Sequence, residues 1–248
     1  MACPLPEGLS KMMNLASWLP TTLIDYPEHV AATLFTLGCN FRCPFCHNPE
    51  LVLPERVAAF SSLDVGEVLA ELERRRGFLD GVVLTGGEPT LQEDLVSFAE
   101  GLKQLGLLVK LDTNGSRPEV VRSLLARNLI DYVAVDVKAP LARYEVFAGS
   151  CARPTEVEET VSLLKGAGTD YEFRTTVAPG LALRDIEAIA AWIGPARRYV
   201  LQAFHVPRER TKGLLDPAWA EREALDASEL MQAWAAVEDW FEAGGVRA

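Results

Sequence analysis

Residues 31–48 read AATLFTLGCNFRCPFCHN, an apolar run followed directly by three closely spaced cysteines. The run from Ala31 to Leu37 has the length and composition of a buried strand. Cys39, Cys43 and Cys46 then follow with the spacing C-x3-C-x2-C. Three thiolates on one short loop can bind three irons of a cubane [4Fe-4S] cluster and leave the fourth iron without a protein ligand. An iron with an open position can bind a substrate, as an open zinc site does.

Other kinds of site use some of the same residues. Cys43 and Cys46, with Pro-Phe between them, could form a thioredoxin-type redox pair, and Cys43 to His47 matches the C-x-x-C-H pattern of covalent haem attachment. A zinc site needs a fourth ligand, and His47 is poorly placed to supply it because it is adjacent to Cys46. These alternatives leave Cys39 or a ligand position unexplained, so the motif favours the open cluster.

Composition and charge limit the possible functions. The chain has 248 residues, of which 49% are hydrophobic and 24% are charged. These values exclude wholesale disorder and fit one large domain. A net charge of −11 argues against a nucleic-acid partner. No stretch has the length and apolarity of a membrane span, and the N-terminus offers no signal peptide. We therefore expect a cytoplasmic protein with no membrane contact.

Apolar runs alternate along the chain with segments whose apolar residues recur at helical spacing. The runs predict strands at 31–37, 81–85, 107–112, 132–137, 171–177 and 198–204. The intervening segments predict helices at 64–76, 91–105, 118–128, 155–165 and 183–193. A last helix is expected at 228–242, with Gly244 and Gly245 as its C-cap.

This alternation predicts a parallel sheet with right-handed crossovers. Six units are too few to close an eight-stranded barrel, so we expect an α/β fold with an open, partial (β/α)6 barrel and an added C-terminal helix. We expect a single domain with three parts. Residues 1–30 would pack on the barrel, residues 31–205 would form it, and residues 206–248 would add a loop and the last helix. In such folds the ligand binds at the carboxyl ends of the strands.

Glycines and polar residues mark the ends of the second and third predicted strands. The second strand ends in LTGGEP, residues 84–89. Its glycines let the backbone approach a ligand closely, although a plain tight turn is the simpler reading. The third strand ends in LDTNG, residues 111–115, where an Asn-Gly turn is again the simpler reading. The candidate residues at these ends are Gly86, Gly87, Glu88, Asp112, Thr113 and Asn114.

Charged residues mark the fourth to sixth strands. A period of two puts Asp136 and Lys138 on one face, which we expect to be the barrel interior. A buried ion pair contributes little net stability, so a ligand-binding role is as good an interpretation. Arg174 lies on the polar face of the fifth strand. His205 follows the sixth, although taken alone a surface histidine is the better interpretation.

Together these residues resemble the radical S-adenosylmethionine superfamily, and within it the activating enzymes of glycyl-radical enzymes. The cysteine loop, the Gly-Gly-Glu-Pro strand end and the six-unit pattern span nearly the whole chain. IDYP at 24–27 and GCNFRCPFCHNPEL at 38–51 are similar to the activating protein of anaerobic ribonucleoside-triphosphate reductase. DTNG at 112–115 and DVK at 136–138 resemble segments of the pyruvate formate-lyase activase. Glu28 departs from the pattern, because these families usually have glycine after the proline.

The resemblance implies a role for each candidate. Cys39, Cys43 and Cys46 would ligate a [4Fe-4S] cluster whose fourth iron is chelated by the amino and carboxylate groups of S-adenosylmethionine. The remaining cofactor-binding positions would be Gly86, Gly87 and Glu88 for the amino group with Asp112, Thr113 and Asn114 nearby, Lys138 and Arg174 for the carboxylate, and Asp136 and His205 for the ribose or adenine. In the pyruvate formate-lyase activase a monovalent cation lies beside the cofactor, and Asp112, Thr113 and Asp136 are the matching positions here, so the resemblance allows such a cation.

The resemblance also implies a reaction and its partners. A flavodoxin or ferredoxin would reduce the cluster. The resulting 5′-deoxyadenosyl radical would remove an α-hydrogen from a glycine of a partner enzyme, with anaerobic ribonucleoside-triphosphate reductase as the first candidate. Residues 47–84 contain no cysteine, so a single cluster is expected. The rival functions are the activase of another glycyl-radical enzyme, a radical enzyme for a small molecule such as a deazaguanine synthase, and a non-catalytic binding or electron-transfer module.

Overall fold

The protein, described here from a computed structural model for residues 13–206 and 213–247, is built on one eight-stranded sheet. The strands are β1 (Leu15–Thr22), β2 (Ala31–Thr36), β3 (Gly81–Gly86), β4 (Leu108–Thr113), β5 (Tyr132–Asp136), β6 (Asp170–Val177), β7 (Ala196–Ala203) and β8 (Phe241–Arg247). They lie in the sheet in chain order. β1 runs antiparallel to β2, and every later neighbouring pair is parallel. Within the described residues β1 and β8 are not paired, so the barrel stays open.

Helices follow most of the parallel strands, as the alternation predicts. They are α1 (Pro54–Val57), α2 (Val65–Arg74), α3 (Leu95–Gln104), α4 (Pro118–Ala126), α5 (Tyr144–Ala148), α6 (Pro154–Lys165), α7 (Leu183–Ile193) and α8 (Ala227–Ala235). Proline begins α4 and α6, because the first helical residue needs no hydrogen-bonded N–H. The side chain of Asp64 caps α2 by accepting from the Glu67 N–H. The open α/β fold, its six predicted strands and the five predicted central helices are confirmed.

The two faces of the sheet differ in chemistry because side chains alternate along each strand. Residues such as Val109, Leu111 and Val133 join one large apolar core with residues of the helices, among them Leu124 of α4. The opposite face carries charge on its central strands. Register places Lys110 and Asp112 of β4, Asp136 of β5, and Glu172 and Arg174 of β6 on this face. The barrel interior is therefore polar where three strands meet.

The C-terminal segment differs from the prediction of a helix over 228–242. α8 ends at Ala235, and residues 241–247 form β8 beside β7. Gly244 does not cap a helix, because it lies within β8 against Tyr199 and Trp234, where a Cβ would overlap both residues. The ring of Phe241 also packs on Tyr199, with centroids 4.9 Å apart. These are tertiary contacts, which helical periodicity within the segment cannot report.

The N-terminal part of the chain adds a strand to the sheet. Residues 15–22 of the predicted segment 1–30 form β1, which pairs with β2 from Leu15 to Thr22. The division of the chain into three parts stays a prediction, and residues 1–12, 207–212 and 248 lie outside the described ranges. Within those ranges no helix combines the length and apolarity needed to cross a membrane.

Candidate active site

A cavity of about 230 Å³ lies where the carboxyl ends of β2 to β5 meet the cysteine loop. Parallel strands bring their carboxyl ends to one edge of a sheet, which is why motifs distant in sequence converge there. All candidate residues except Arg174 and His205 line this cavity. They are Cys39, Cys43, Cys46, Gly86, Gly87, Glu88, Asp112, Thr113, Asn114, Asp136 and Lys138.

The cysteine loop is held in a compact shape by its own backbone and by Arg42. Cys46 donates its N–H to the carbonyl of Cys43 at 2.9 Å. The Arg42 guanidinium donates to the carbonyls of Cys39 and Phe41 at 2.6 and 2.8 Å. A segment near the C-terminus covers the loop, since Leu215 donates its N–H to the carbonyl of Cys46 at 3.2 Å. The loop conformation thus depends on residues far away in the chain.

The three cysteines are free thiols that suit a cluster. Burial raises the pKa of Cys43 to about 12 and also raises the pKa values of Cys39 and Cys46. Buried thiolates therefore need a compensating positive charge, which iron supplies. Among the described residues no three His, Cys, Asp or Glu side chains are grouped closely enough to hold one metal ion. A cubane does not require such a group, because each cysteine binds a different iron.

The two glycines at the end of β3 allow it to contact the start of the cysteine loop. Gly86 has a φ of 113°, and a Cβ there would overlap the backbone of Thr36. A Cβ on Gly87 would overlap the carbonyl oxygen of Gly38. That carbonyl accepts a hydrogen bond from the Glu88 N–H at 2.8 Å. The two glycines thus let β3 contact the backbone of Thr36 and Gly38 closely. Both glycines also line the cavity.

Glu88 joins the ends of β3 and β4. Its buried carboxylate accepts from the Thr90 N–H and hydroxyl at 3.1 and 2.6 Å, from the Thr113 hydroxyl at 2.7 Å and from the Asn114 N–H at 2.7 Å. Burial raises the pKa of Glu88, and the hydrogen bonds from Asn114, Thr90 and Thr113 oppose that rise. Both carboxylate oxygens already have partners, so Glu88 positions its neighbours. Its contact with a ligand amino group stays a prediction.

Asn114 connects the end of β4 to the cysteine loop. Its side-chain amide donates to the Asn40 carbonyl oxygen at 2.9 Å and lies 3.9 Å from the Cys39 sulfur. Asn40 in turn donates to the Ser116 hydroxyl at 2.8 Å. Sequence reasoning missed Asn40 and Ser116. The sequence offered one signal for Asn40, because a polar residue between Cys39 and Cys43 must lie close to the cluster loop.

An ion-pair network lies on the polar face of the sheet beside the cavity. Asp136 accepts from the Lys138 ammonium at 3.0 Å and from Arg174 Nε at 2.9 Å. Arg174 Nη1 also donates to Asp112 at 2.9 Å, and the second oxygen of Asp112 accepts from Lys110. We call these five residues the ion-pair network. Burial alone would raise the pKa of Asp136, but the charges of Arg174 and Lys138 outweigh it and lower the pKa well below its usual range.

For three residues the structure departs from the sequence analysis, either in where the side chain lies or in its being part of the site at all. Arg174 lies behind the cavity, paired with Asp112 and Asp136. The side chain of His205 is exposed, and only its carbonyl contacts the site region, by accepting from His47 Nε2 at 2.6 Å. Lys110 was missed, although it stands two residues before Asp112 in a strand with a period of two.

Comparison with known proteins identifies the family. Residues 33–193 match the Radical SAM superfamily. The chain belongs to the radical SAM superfamily. It is 36% identical over 187 residues to a Methanocaldococcus jannaschii protein named a putative glycyl-radical enzyme activating enzyme, over 73% of this chain and 75% of that one. It is 28% identical over 190 residues to the 7-carboxy-7-deazaguanine synthase of Thermococcus kodakarensis, over 69% of this chain and 72% of that one.

Solved structures share the fold of this radical SAM enzyme. Streptococcus suis SuiB bound to S-adenosylmethionine matches with a TM-score of 0.64 at 14% identity, over 87% of this chain and 52% of SuiB. The enzyme named anSMEcpe, bound to S-adenosylmethionine, matches with a TM-score of 0.58 at 17% identity, over 82% of this chain and 57% of that one. The chain thus spans about half the length of these two proteins, and the likeness concerns the fold.

A radical SAM enzyme uses a [4Fe-4S] cluster and S-adenosylmethionine, and the residues at the cavity fit both. When bound, the reduced cluster supplies the electron that splits S-adenosylmethionine into methionine and a 5′-deoxyadenosyl radical. Cys39, Cys43 and Cys46 would hold the cluster. The Lys138 ammonium lines the same cavity and lies close enough to Cys43 for each charge to affect the pKa of the other group. It can therefore pair with a carboxylate of the cofactor beside the cluster.

Proposed function

We propose that this radical SAM enzyme generates a glycyl radical on a partner enzyme. The cavity residues would bind and orient S-adenosylmethionine and keep water away from the radical. The 5′-deoxyadenosyl radical would take an α-hydrogen atom from a partner glycine, leaving 5′-deoxyadenosine and a glycyl radical. The observation that carries this proposal is the 36% identity, over 73% of this chain and 75% of the other, to the M. jannaschii protein named for this activity.

The open sheet supports a macromolecular substrate. A glycine within a folded partner must reach the cavity on a loop, and an open barrel leaves more room for such a loop than a closed one. Within the described residues β1 and β8 are not paired. We propose anaerobic ribonucleoside-triphosphate reductase as the partner, from the resemblance of residues 38–51, and a flavodoxin or ferredoxin as the electron donor. Both would be met in the cytoplasm.

Electron paramagnetic resonance tests the proposal. The protein is reconstituted with iron and sulfide without oxygen, then mixed with reductant, S-adenosylmethionine and the host's anaerobic ribonucleotide reductase. We expect a glycyl doublet and an amount of 5′-deoxyadenosine equal to the radical formed. The Cys43→Ala variant should give neither product, because it lacks one cluster ligand. Cofactor cleavage without a doublet would retain the radical enzyme and reject this partner.

The similarity to a deazaguanine synthase favours a second candidate, a radical enzyme that acts on a small molecule. The two functions differ in stoichiometry. An activase leaves its radical on the partner, so 5′-deoxyadenosine stops increasing when the partner is fully activated. An enzyme for a small molecule continues to turn over while that substrate lasts. Measuring 5′-deoxyadenosine against partner concentration therefore separates them, and a plateau proportional to partner supports the activase.

A further inference from the structure

The two carboxylates that could bind a monovalent cation, Asp112 and Asp136, already form ion pairs with lysine and arginine side chains of the same chain. Asp112 accepts from Lys110 on one oxygen and from Arg174 on the other, at 2.9 Å. Asp136 accepts from Arg174 at 2.9 Å on one oxygen and from Lys138 at 3.0 Å on the other. Each oxygen of the two carboxylates thus has a positively charged donor. The expectation of a separate Na⁺ or K⁺ at this place does not fit the residues present.

The third expected ligand is also engaged. The Thr113 hydroxyl donates to Glu88 at 2.7 Å and accepts from the Gly115 N–H at 3.1 Å. A hydroxyl that donates its proton to a carboxylate could still offer a lone pair to a cation, but here the Gly115 N–H points at that oxygen. The Thr113 hydroxyl therefore serves the Glu88 junction between β3 and β4.

Lys110 is bound firmly to its position in the network. Its side chain is 1% exposed, compared with 13% for Asp112, so its ammonium has almost no contact with water. A buried ammonium costs several kcal/mol to desolvate and remains only when it is paired. The ring of Tyr132, with its centroid 5.8 Å from the ammonium, borders it on another side. The charge of Lys110 is thus directed at Asp112.

The network links Lys110 to the cavity through alternating charges. Lys110 neutralises Asp112, which leaves Arg174 able to bridge Asp112 and Asp136. Asp136 then holds the ammonium of Lys138, which lines the cavity. Without Lys110, Arg174 would be drawn toward an undercompensated Asp112, and the position of Lys138 would change with it.

We propose that Lys110 and Arg174 take the place of a bound monovalent cation, so that this enzyme binds S-adenosylmethionine without needing Na⁺ or K⁺. Lys110 is a positioning residue in this proposal, since it acts on the cofactor through Asp112, Arg174, Asp136 and Lys138. The proposal rests on the radical SAM family and on these contacts. It is independent of which substrate or partner the enzyme has.

Cofactor affinity in buffers of different cations tests the proposal without using turnover. The holoenzyme, its cluster kept oxidised so that S-adenosylmethionine is not cleaved, is titrated with the cofactor, and binding is followed by isothermal titration calorimetry. Ionic strength is kept constant with tetramethylammonium, Na⁺ or K⁺ chloride. For the unaltered enzyme we expect dissociation constants that agree within about twofold in the three salts. A gain of tenfold or more in Na⁺ or K⁺ would overturn the proposal, and this measurement needs no variant.

The Lys110→Met variant gives the complementary result. It keeps most of the side-chain volume and removes the charge, so Asp112 loses one partner. In tetramethylammonium we expect affinity to fall about tenfold, and Na⁺ or K⁺ should restore most of it by entering beside Asp112. Lys110→Arg should stay independent of the salt. Unchanged affinity in Lys110→Met, or a loss that no small cation restores, would contradict the proposal.

A matched control variant is available at Lys103. Its ammonium binds Asp131 at 2.7 and 2.8 Å, and neither residue lines the cavity. Lys103→Met removes the same charge from another lysine–aspartate pair. We expect its cofactor affinity to match that of the unaltered enzyme in all three salts. Because Lys103 is more exposed than Lys110, Lys103→Met controls for the loss of a lysine–aspartate pair, and a cation requirement should appear only in Lys110→Met.

Discussion

Among single residues, Lys138 connects the ion-pair network to the cavity, because its ammonium pairs with Asp136 and its side chain lines the cavity. Burial alone would lower the pKa of Lys138, but Asp136 and the other acidic groups nearby together outweigh burial and raise it, so the charge is retained. The other oxygen of Asp136 accepts from Arg174, so the carboxylate that holds the Lys138 ammonium is itself fixed in position. This arrangement suits a group that must meet a carboxylate with little reorganisation.

Replacing Lys138 with alanine should separate cofactor binding from cluster assembly. We expect the affinity for S-adenosylmethionine to fall about 10- to 100-fold, as expected for loss of a charge-assisted contact. Iron content and the absorption of the cluster should stay unchanged, because the cysteines remain. Lys165→Ala is the control, since Lys165 donates to the Gly194 carbonyl away from the cavity. Equal affinity in both variants would show that the Asp136–Lys138 pair is only structural.

Glu28 has a backbone conformation that is unusual for a residue with a side chain. Its φ is 66°, in the left-handed region that glycine adopts most readily. A glutamate in this conformation carries backbone strain. The side chain is exposed, so a change at this position leaves the core packing untouched.

Glu28→Gly should relieve that strain. We expect the free energy of unfolding to rise by about 0.5–1 kcal/mol, measured by urea denaturation. Asn128 has a φ of 52°, and asparagine tolerates this region better than glutamate, so Asn128→Gly should gain less. A loss of stability in Glu28→Gly larger than that in Asn128→Gly would mean that the Glu28 side chain makes a stabilising contact.

At the scale of elements, β8 shows how packing overrides local preference. The segment after α8 contains Gly244 and Gly245, which would suit a helix C-cap. The chain instead extends and pairs with β7 from Ala196 to Gln202. The glycine at 244 is needed there because Tyr199 and Trp234 lie against its Cα. The same two glycines thus fit either structure, and the neighbouring strand decides between them.

Alanine at each glycine of β8 measures this packing. Both have φ values near 155°, at 156° and 154°, so backbone strain should be similar in the two variants. A Cβ at Gly244 would overlap the Tyr199 carbonyl and the Trp234 ring, whereas at Gly245 it would meet nothing within 4 Å. We expect Gly244→Ala to lower the free energy of unfolding by about 1–3 kcal/mol more than Gly245→Ala. An equal loss of unfolding free energy in both variants would mean that glycine is needed for its backbone conformation and not for the contacts with Tyr199 and Trp234.

On the scale of the whole molecule, the cysteine loop depends on the C-terminal part of the chain. Trp219 lies in the short 3₁₀ helix Pro217–Glu221 and is 3% exposed. Its ring packs on Phe45, between two of the cysteines, with centroids 5.8 Å apart, and on Phe147 at 5.4 Å. The loop that would hold the cluster is thus enclosed from a distant part of the sequence.

Trp219→Ala should loosen this enclosure. We expect a loss of about 3–5 kcal/mol in the free energy of unfolding, as for other buried aromatic residues. The reconstituted cluster should also lose iron to a chelator faster, because the loop around Phe45 is no longer covered. Trp240, which is 44% exposed, provides the control as Trp240→Ala. If both variants lose iron to the chelator at the same rate, the contact between Trp219 and Phe45 does not help to retain the cluster.

The sequence by itself determined the order of the six central strands and their helices, the cysteine loop and most of the cavity lining. These are local properties, since periodicity reports which side of a strand or helix is apolar, and parallel strands necessarily bring their carboxyl ends together. The prediction therefore placed Asp112 and Asp136 at one edge of the sheet, although they are 24 positions apart in the sequence.

Only the tertiary structure decided which side chains pair, and which segments complete the sheet. Arg174 bridges Asp112 and Asp136 because the register of β4, β5 and β6 aligns them, and register depends on contacts between distant strands. The same holds for β8, whose pairing with β7 overrode a helical pattern. Long-range packing energy exceeds local propensity in such places, so the sequence of one segment cannot reveal its partner.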